Sequence, residues 1–147
     1  MATKADADVW LVMRAALWPE ASVDELRAEV AAFFAREARQ NMPHQVFMAD
    51  YDGTPVGMLE LSLRDHVDGC DGSPVPFIEG WYVTPDARRQ GIGGALIKAA
   101  EAWALEHGYT EMASDALLDN TISHRAHAAL GFVEVERAVR FRKSLRA

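Results

Sequence analysis

The sequence predicts a mixed α/β fold, a central mixed β-sheet flanked by helices, and three observations lead there. The apolar run 77–83 passes straight into a glycine-rich segment, then a helical pattern, then a short β-like run near 111–114, which together make one βαβ unit. Before it, the β-like runs 45–49 and 56–63 are joined across Asp50-Tyr51-Asp52-Gly53, the chemistry of a hairpin turn. Helical periodicity fills the N-terminal third and the stretch 121–130.

Each element has its own warrant. Val9, Val12, Met13, Ala16 and Leu17 recur at helical spacing until Pro19 ends the run. Ser22 with Glu25 three places on forms a capping-box pattern for a second helix, whose apolar stripe is Leu26, Val30, Phe33 and Phe34 and whose end is expected near Gln40-Asn41. Residues 64–76 are polar and turn-rich, a surface loop suited to a substrate rim. Ile92, Ala95, Leu96, Ala99 and Trp103 give the third helix one apolar face, closed by His107-Gly108. Two β-like runs, 132–136 and 138–142, are expected to complete the sheet.

The chain has 147 residues, which suits a single domain over 1–147. A formal charge of −7 argues against a nucleic-acid partner and is compatible with a cationic one. There is no apolar run of membrane-spanning length, no signal-peptide core in Met1-Ala2-Thr3-Lys4, and one cysteine, Cys70, so the expected setting is a cytoplasmic, reducing one with no membrane partner.

The segment Arg88-Arg89-Gln90-Gly91-Ile92-Gly93-Gly94 has the makings of an anion site. Glycines let a ligand approach the backbone, the helix start presents unpaired N–H groups, and two guanidinium forks suit phosphate. Ala95-Leu96 after Gly94 excludes a Walker loop, which needs Lys and Ser or Thr there, and Leu96 stands where a dinucleotide fingerprint has its third glycine.

Glu79 is the acid least easily explained as surface. It follows the apolar run 75–78, and an unpaired charge there would cost several kcal/mol, so a ligand ammonium or a basic partner must meet it. Strand alternation sets Glu79, Trp81 and Val83 on one face and Gly80 and Tyr82 on the other. Asp115 ends the next strand and is either a site acid or a helix or turn cap before residues 117–120; Glu136 is either a site acid or a solvated charge beside Arg137, Arg140 or Arg142. His124 and His127 lack the companions of a zinc site, so no metal is expected, and Cys70 reads as a loop-packing thiol.

The spacing Arg88-x-x-Gly91-x-Gly93 resembles the coenzyme A pyrophosphate loop of the GCN5-related N-acetyltransferases. Further segments resemble one subgroup of that superfamily, the aminoglycoside 6'-N-acetyltransferases: Ala16-Leu17-Trp18-Pro19, Asp68-Gly69-Cys70-Asp71, Phe77-Ile78-Glu79-Gly80, the stretch 111–115, Asn120-Thr121-Ile122-Ser123, His127 through Phe132, and Glu136-Arg137. The resemblance implies that fold, acetyl-CoA as co-substrate and a polycationic aminosugar as acceptor. It implies acetyl-CoA contacts from Trp81, Tyr82, Val83, Arg88, Arg89, Gln90, Gly91, Ile92, Gly93, Gly94 and Asn120, with the main chain of 81–83 binding the pantetheine arm like an added strand. It implies acceptor contacts from Trp18, His66, Glu79, Asp115 and Glu136.

For catalysis it implies Asp115 as base, with Glu79 second, and His127 as acid, in the place where many members have tyrosine. His66 stands where some relatives have an aromatic hydroxyl residue, and the short N-terminus leaves the family's first strand truncated or absent. A homodimer through C-terminal strands is implied as well. Two other functions fit the same site, acetylation of a different cationic amine such as a polyamine or peptide amine, and a CoA-binding module without turnover.

Overall fold

The computed structural model describes residues 1–37 and 42–146, which divide into two compact units, Met1–Asp115 and Ala116–Ala147. The first holds a four-stranded sheet in the order β1-β2-β3-β4, with β1 Gln45–Tyr51, β2 Thr54–Arg64, β3 Val75–Val83 and β4 Ala113–Ser114. The β1–β2 and β2–β3 pairs are antiparallel and β3–β4 is parallel, so the mixed sheet and its βαβ unit are as expected. Asp52 and Gly53 both take left-handed backbone at the hairpin tip, as a two-residue primed turn requires.

Two helices cover one face. α1 spans Ala7–Leu17, and α2 spans Val23–Phe34 with the Ser22 hydroxyl accepting from the Glu25 N–H. Trp10, fully buried, meets Phe33 and Phe34 edge-on and packs with Met13, Val30, Val46 and Met58. The opposite face carries α3, Ile92–Glu106, which buries Leu96, Ile97, Ala100, Trp103 and Ala104. Gly57, next to Met58 on β2, faces Leu96 and Ile92, so alternation along one strand separates the two helical layers. α2 stops at Phe34, earlier than its pattern suggested, and Gln40 and Asn41 lie outside the described residues. No strand forms at the N-terminus; Ala2 N–H gives one bond to the Val46 carbonyl.

The second unit holds α4, Thr121–Ala129, capped by Asn120, whose Oδ1 accepts from the Ser123 N–H at 3.2 Å. The strands expected over 132–136 and 138–142 are not formed: the stretch is irregular and exposed. A β-like pattern yields a strand only where a ladder partner exists, and α4 is the sole regular element of this unit among the described residues.

The register of β2 against β3 corrects one further expectation. Glu60 pairs with Gly80 and Leu61 with Ile78, so Glu79 is the extra residue of a β-bulge. A bulge breaks alternation: the Trp81 indole reaches α3, its Nε1–H donating to the Gly93 carbonyl at 3.1 Å, while Glu79 bonds Ser62 on the α1 side. Ser62 shares that side with Glu60, which bonds Trp10 and Arg14 of α1.

Candidate active site

The β3–β4 ladder is short. Its rungs are Phe77–Ala113 and Ile78–Ser114, while β3 runs on for five residues to Val83 without a strand beside it on that edge among the described residues. The direction of the main-chain groups follows from the other edge. Thr84 N–H donates to the Val56 carbonyl at 2.8 Å, so Val56–Thr84 and Met58–Tyr82 are the hydrogen-bonded rungs, and Trp81 and Val83 turn their N–H and C=O groups away from β2. That is the geometry on which an extended amide-bearing ligand can add as a strand.

At the end of this edge lies the glycine-rich loop. Arg88 Nε–H donates to the Val83 carbonyl at 2.9 Å, tying loop to strand, and its guanidinium lies 5.6 Å from the Tyr82 ring. Arg89 and Gly91 have positive φ, 65° and 78°, and Gly91 is the N-cap of α3. The first intrahelical bond runs from Ala95 N–H to the Gly91 carbonyl, so the N–H groups of Ile92, Gly93 and Gly94 are not spent inside the helix. Exposed arginines, three helix-start donors and the dipole of a 15-residue helix fit a pyrophosphate.

Beside the start of this edge stand the acids. Ser114 pairs with Ile78 in the last rung, so Glu79 follows it within β3 and Asp115 follows it just past the end of β4. Asp115 is exposed and does not cap α4, a task that Asn120 performs. Glu79 has the basic partner its context demanded: Arg64 Nε and Nη2 donate to its two oxygens at 2.9 Å each, and Ser62 Oγ–H donates to Oε1 at 2.5 Å. The Arg64 guanidinium also lies on the Phe77 ring, 3.6 Å from its centroid. Hydrogen bonding to Glu79 holds the Arg64 pKa above its ordinary value despite partial burial, with the charges of Glu79 and Asp115 adding to the effect.

Trp18 is the aromatic wall of this group. A Cβ on Gly80 would stand 2.9 Å from its ring, and the Arg14 guanidinium lies 5.1 Å from its centroid. Arg14 is itself fixed by Glu60, with Nε at 2.8 Å and Nη2 at 3.1 Å, and by Glu29 at 2.6 Å. Burial pushes the Glu60 carboxyl up, against the pull of Arg14 and the Trp10 N–H; burial works against the charge of Arg14 too, but Glu60 and Glu29 hold its pKa above the ordinary value.

Of the residues singled out from sequence, Trp18, Glu79, Asp115, residues 81–83 and residues 88–94 belong to the first unit. His66 is there too, exposed in the 65–74 loop with Nε2 2.9 Å from Asp68. Asn120, His127 and Glu136 belong to the second unit, where His127 Nδ1–H donates to the Ser123 carbonyl at 2.7 Å and its ring meets Phe132 edge-on, and Glu136 is exposed. Arg14, Glu60, Ser62 and Arg64 were missed. Their signal was present as a lone acid inside the apolar run 57–61 and a lone arginine between Met13 and Leu17 on the apolar side of α1. Burial, and next the nearby Glu111 and Asp71 charges, push the Cys70 thiol pKa up.

Residues 10–132 match the Acetyltransferase (GNAT) family. Aminoglycoside N(6')-acetyltransferase type 1 of Klebsiella aerogenes is 45% identical over 140 residues, covering 95% of this chain and 91% of the relative; its counterpart from Serratia marcescens is 46% identical over 140 residues, covering 94% and 92%. Among solved structures, AAC(6')-Iy in complex with the bisubstrate analog CoA-S-monomethyl-acetylneamine superposes with a TM-score of 0.85 at 38% identity, covering 96% of this chain and 93% of that one. Apo AAC(6')-IG from Acinetobacter haemolyticus gives 0.83 at 39% identity, covering 99% and 97%. With a strand edge that outruns its ladder, a glycine-rich helix start at its end and matches along nearly its whole length, the chain belongs to the GNAT acetyltransferase family, among the aminoglycoside N(6')-acetyltransferases.

Proposed function

We propose that this protein transfers the acetyl group of acetyl-CoA to the 6'-amine of aminoglycosides by direct attack in a ternary complex, and so confers resistance to them. The observation that carries the proposal is the placement of Glu79 and Asp115 one residue past the last rung of the β3–β4 ladder, Glu79 within β3 and Asp115 just beyond β4, beside a main-chain edge that ends in the glycine-rich loop. The main chain of 81–83 holds the pantetheine arm, residues 88–94 take the pyrophosphate, and Asn120 adds a side-chain contact. The outward N–H of Val83 polarises the thioester carbonyl.

A lysine-like amine is neutral only about once in a few thousand molecules at pH 7, so a carboxylate must take its proton, directly or through a water. Asp115, exposed, is assigned that task. Glu79, held by Arg64 and Ser62, orients the amine, and Trp18, His66 and Glu136 contact the sugar. His127, whose Nδ1–H donates to the Ser123 carbonyl, is assigned proton delivery to the departing thiolate.

The family match spans parts of both compact units, which supports a single acetyltransferase domain. A homodimer through the C-terminal stretch is part of the proposal: Val133, Val135, Val139, Phe141 and Leu145 are exposed at alternating positions, a strand pattern that a second copy can pair. A cytoplasmic location follows from dependence on intracellular acetyl-CoA, and no helix among the described residues is long and apolar enough to cross a membrane.

The test is CoA release with a panel of kanamycin-like amines, polyamines and peptide amines. Aminoglycosides with the highest kcat/KM support the proposal; no turnover above hydrolysis with any of them rejects it. Asp115→Asn should keep acetyl-CoA affinity and lower kcat by about 10²–10⁴.

A further inference from the structure

Arg64, the last residue of β2, together with Ser62 takes up most of the accepting capacity of Glu79. A carboxylate has about four lone-pair sites. Ser62 Oγ and Arg64 Nε occupy those of Oε1 and Arg64 Nη2 occupies one on Oε2, which leaves a single direction open on Oε2. The guanidinium is itself immobilised on the Phe77 ring, and the Asp115 charge acts on it as well as that of Glu79. When ionised, Glu79, Asp115 and Arg64 carry one net negative charge between them.

We propose that Arg64 is a positioning residue for the acceptor amine, acting through Glu79: its fork fixes the carboxylate so that one acceptor site is left for a substrate N–H. The inference rests on the proposed function and divides the work of the two acids. Asp115, which acts on Arg64 through charge alone, keeps its oxygens for the ammonium and its proton, whereas Glu79, gripped by the Arg64 fork, supplies direction. Without Arg64 a polycation could settle an ammonium equally well on either acid, and binding in the wrong register would compete with reaction. Lysine could keep the charge but not the two-pronged grip.

The experiment compares wild type with Arg64→Met, which keeps an apolar stem on Phe77, and Arg64→Lys, each alone and combined with Glu79→Gln. Steady-state kinetics with an aminoglycoside are read beside the acetyl-CoA Kd and the melting temperature. Arg64→Met is expected to lower kcat by about tenfold or more while the acceptor KM stays level or falls, because attraction is kept and orientation is lost. Arg64→Lys should fall between. In the Glu79→Gln background either Arg64 change should add less than about twofold, the mark of action through one partner.

An unchanged kcat overturns the inference. So does a loss that multiplies in full with Glu79→Gln, or one that tracks a lowered melting temperature and weakened acetyl-CoA binding, since a bridge that merely holds the strand end would give either. A wild type that releases no CoA with any aminoglycoside overturns the proposed function and this inference together, whereas a competent wild type matched by Arg64→Met overturns this inference alone.

Discussion

Arg14 grips Glu60 through two nitrogens in the core between α1 and the sheet, with 5% of one side chain and 1% of the other exposed. Removing Arg14 strands the Glu60 charge, and removing Glu60 leaves the buried Arg14 with Glu29 in place of two acids. Arg14→Met or Glu60→Gln alone should cost about 3–5 kcal/mol, whereas an Arg14→Met/Glu60→Leu double variant should recover much of that loss. Urea unfolding of the three proteins checks the sign of the coupling. The double variant should still lose acceptor affinity, since Trp18 would no longer have the guanidinium against it.

Gly80 carries a prediction about Trp18. A methyl at this position would come within 2.9 Å of the indole and 3.2 Å of Leu17 Cδ2, so Gly80→Ala must displace the ring. Overpacking of this kind costs about 1–3 kcal/mol. The expected kinetic pattern is a raised acceptor KM with an unaltered acetyl-CoA Kd, measured by titration of each substrate.

Gly91 separates backbone strain from sterics. Its φ is +78° and a Cβ there would meet nothing within 4 Å, so Gly91→Ala should destabilise by only about 1–2 kcal/mol, the cost of left-handed backbone. Under the proposed function, any relaxation of that conformation would swing the first N–H groups of α3 off the pyrophosphate. Acetyl-CoA binding measured by calorimetry should weaken more than the melting temperature suggests.

Cys70 yields a pH dependence. Its thiol pKa is raised by burial first and by Glu111 and Asp71 next, so at any given pH less of it is thiolate than in a free thiol. The pH profile of iodoacetamide alkylation should therefore lie above that of a free cysteine. A profile at or below it would contradict the environment described for this loop.

Periodicity made the regular elements legible: α1, α2, α3, α4 and the hairpin follow from apolar spacing, caps and an Asp-Gly turn. The bulge was not legible, because an extra residue leaves the apolar pattern of β3 intact while moving Glu79 to the other face. For the same reason the need for a cation beside Glu79 could be read from its neighbours, but Arg64 could not be named without the register that brings β2 and β3 together. The C-terminal stretch shows the opposite limit. Alternation from Val133 to Leu145 describes what a strand there would look like, and nothing local to it supplies the second strand.

The early end of the β3–β4 ladder has a consequence for how this protein can vary. Under the proposed function, the co-substrate's amides are read along 81–83 by peptide groups rather than side chains. Peptide groups do not change when a codon does. Positions 82 and 83 can therefore drift among residues that keep a strand, with acetyl-CoA use preserved, while changes around Trp18, Arg64, Glu79 and Asp115 alter which amine is accepted. Donor and acceptor recognition are thus open to mutation to different degrees, which leaves antibiotic range free to diverge without loss of the acetyl donor.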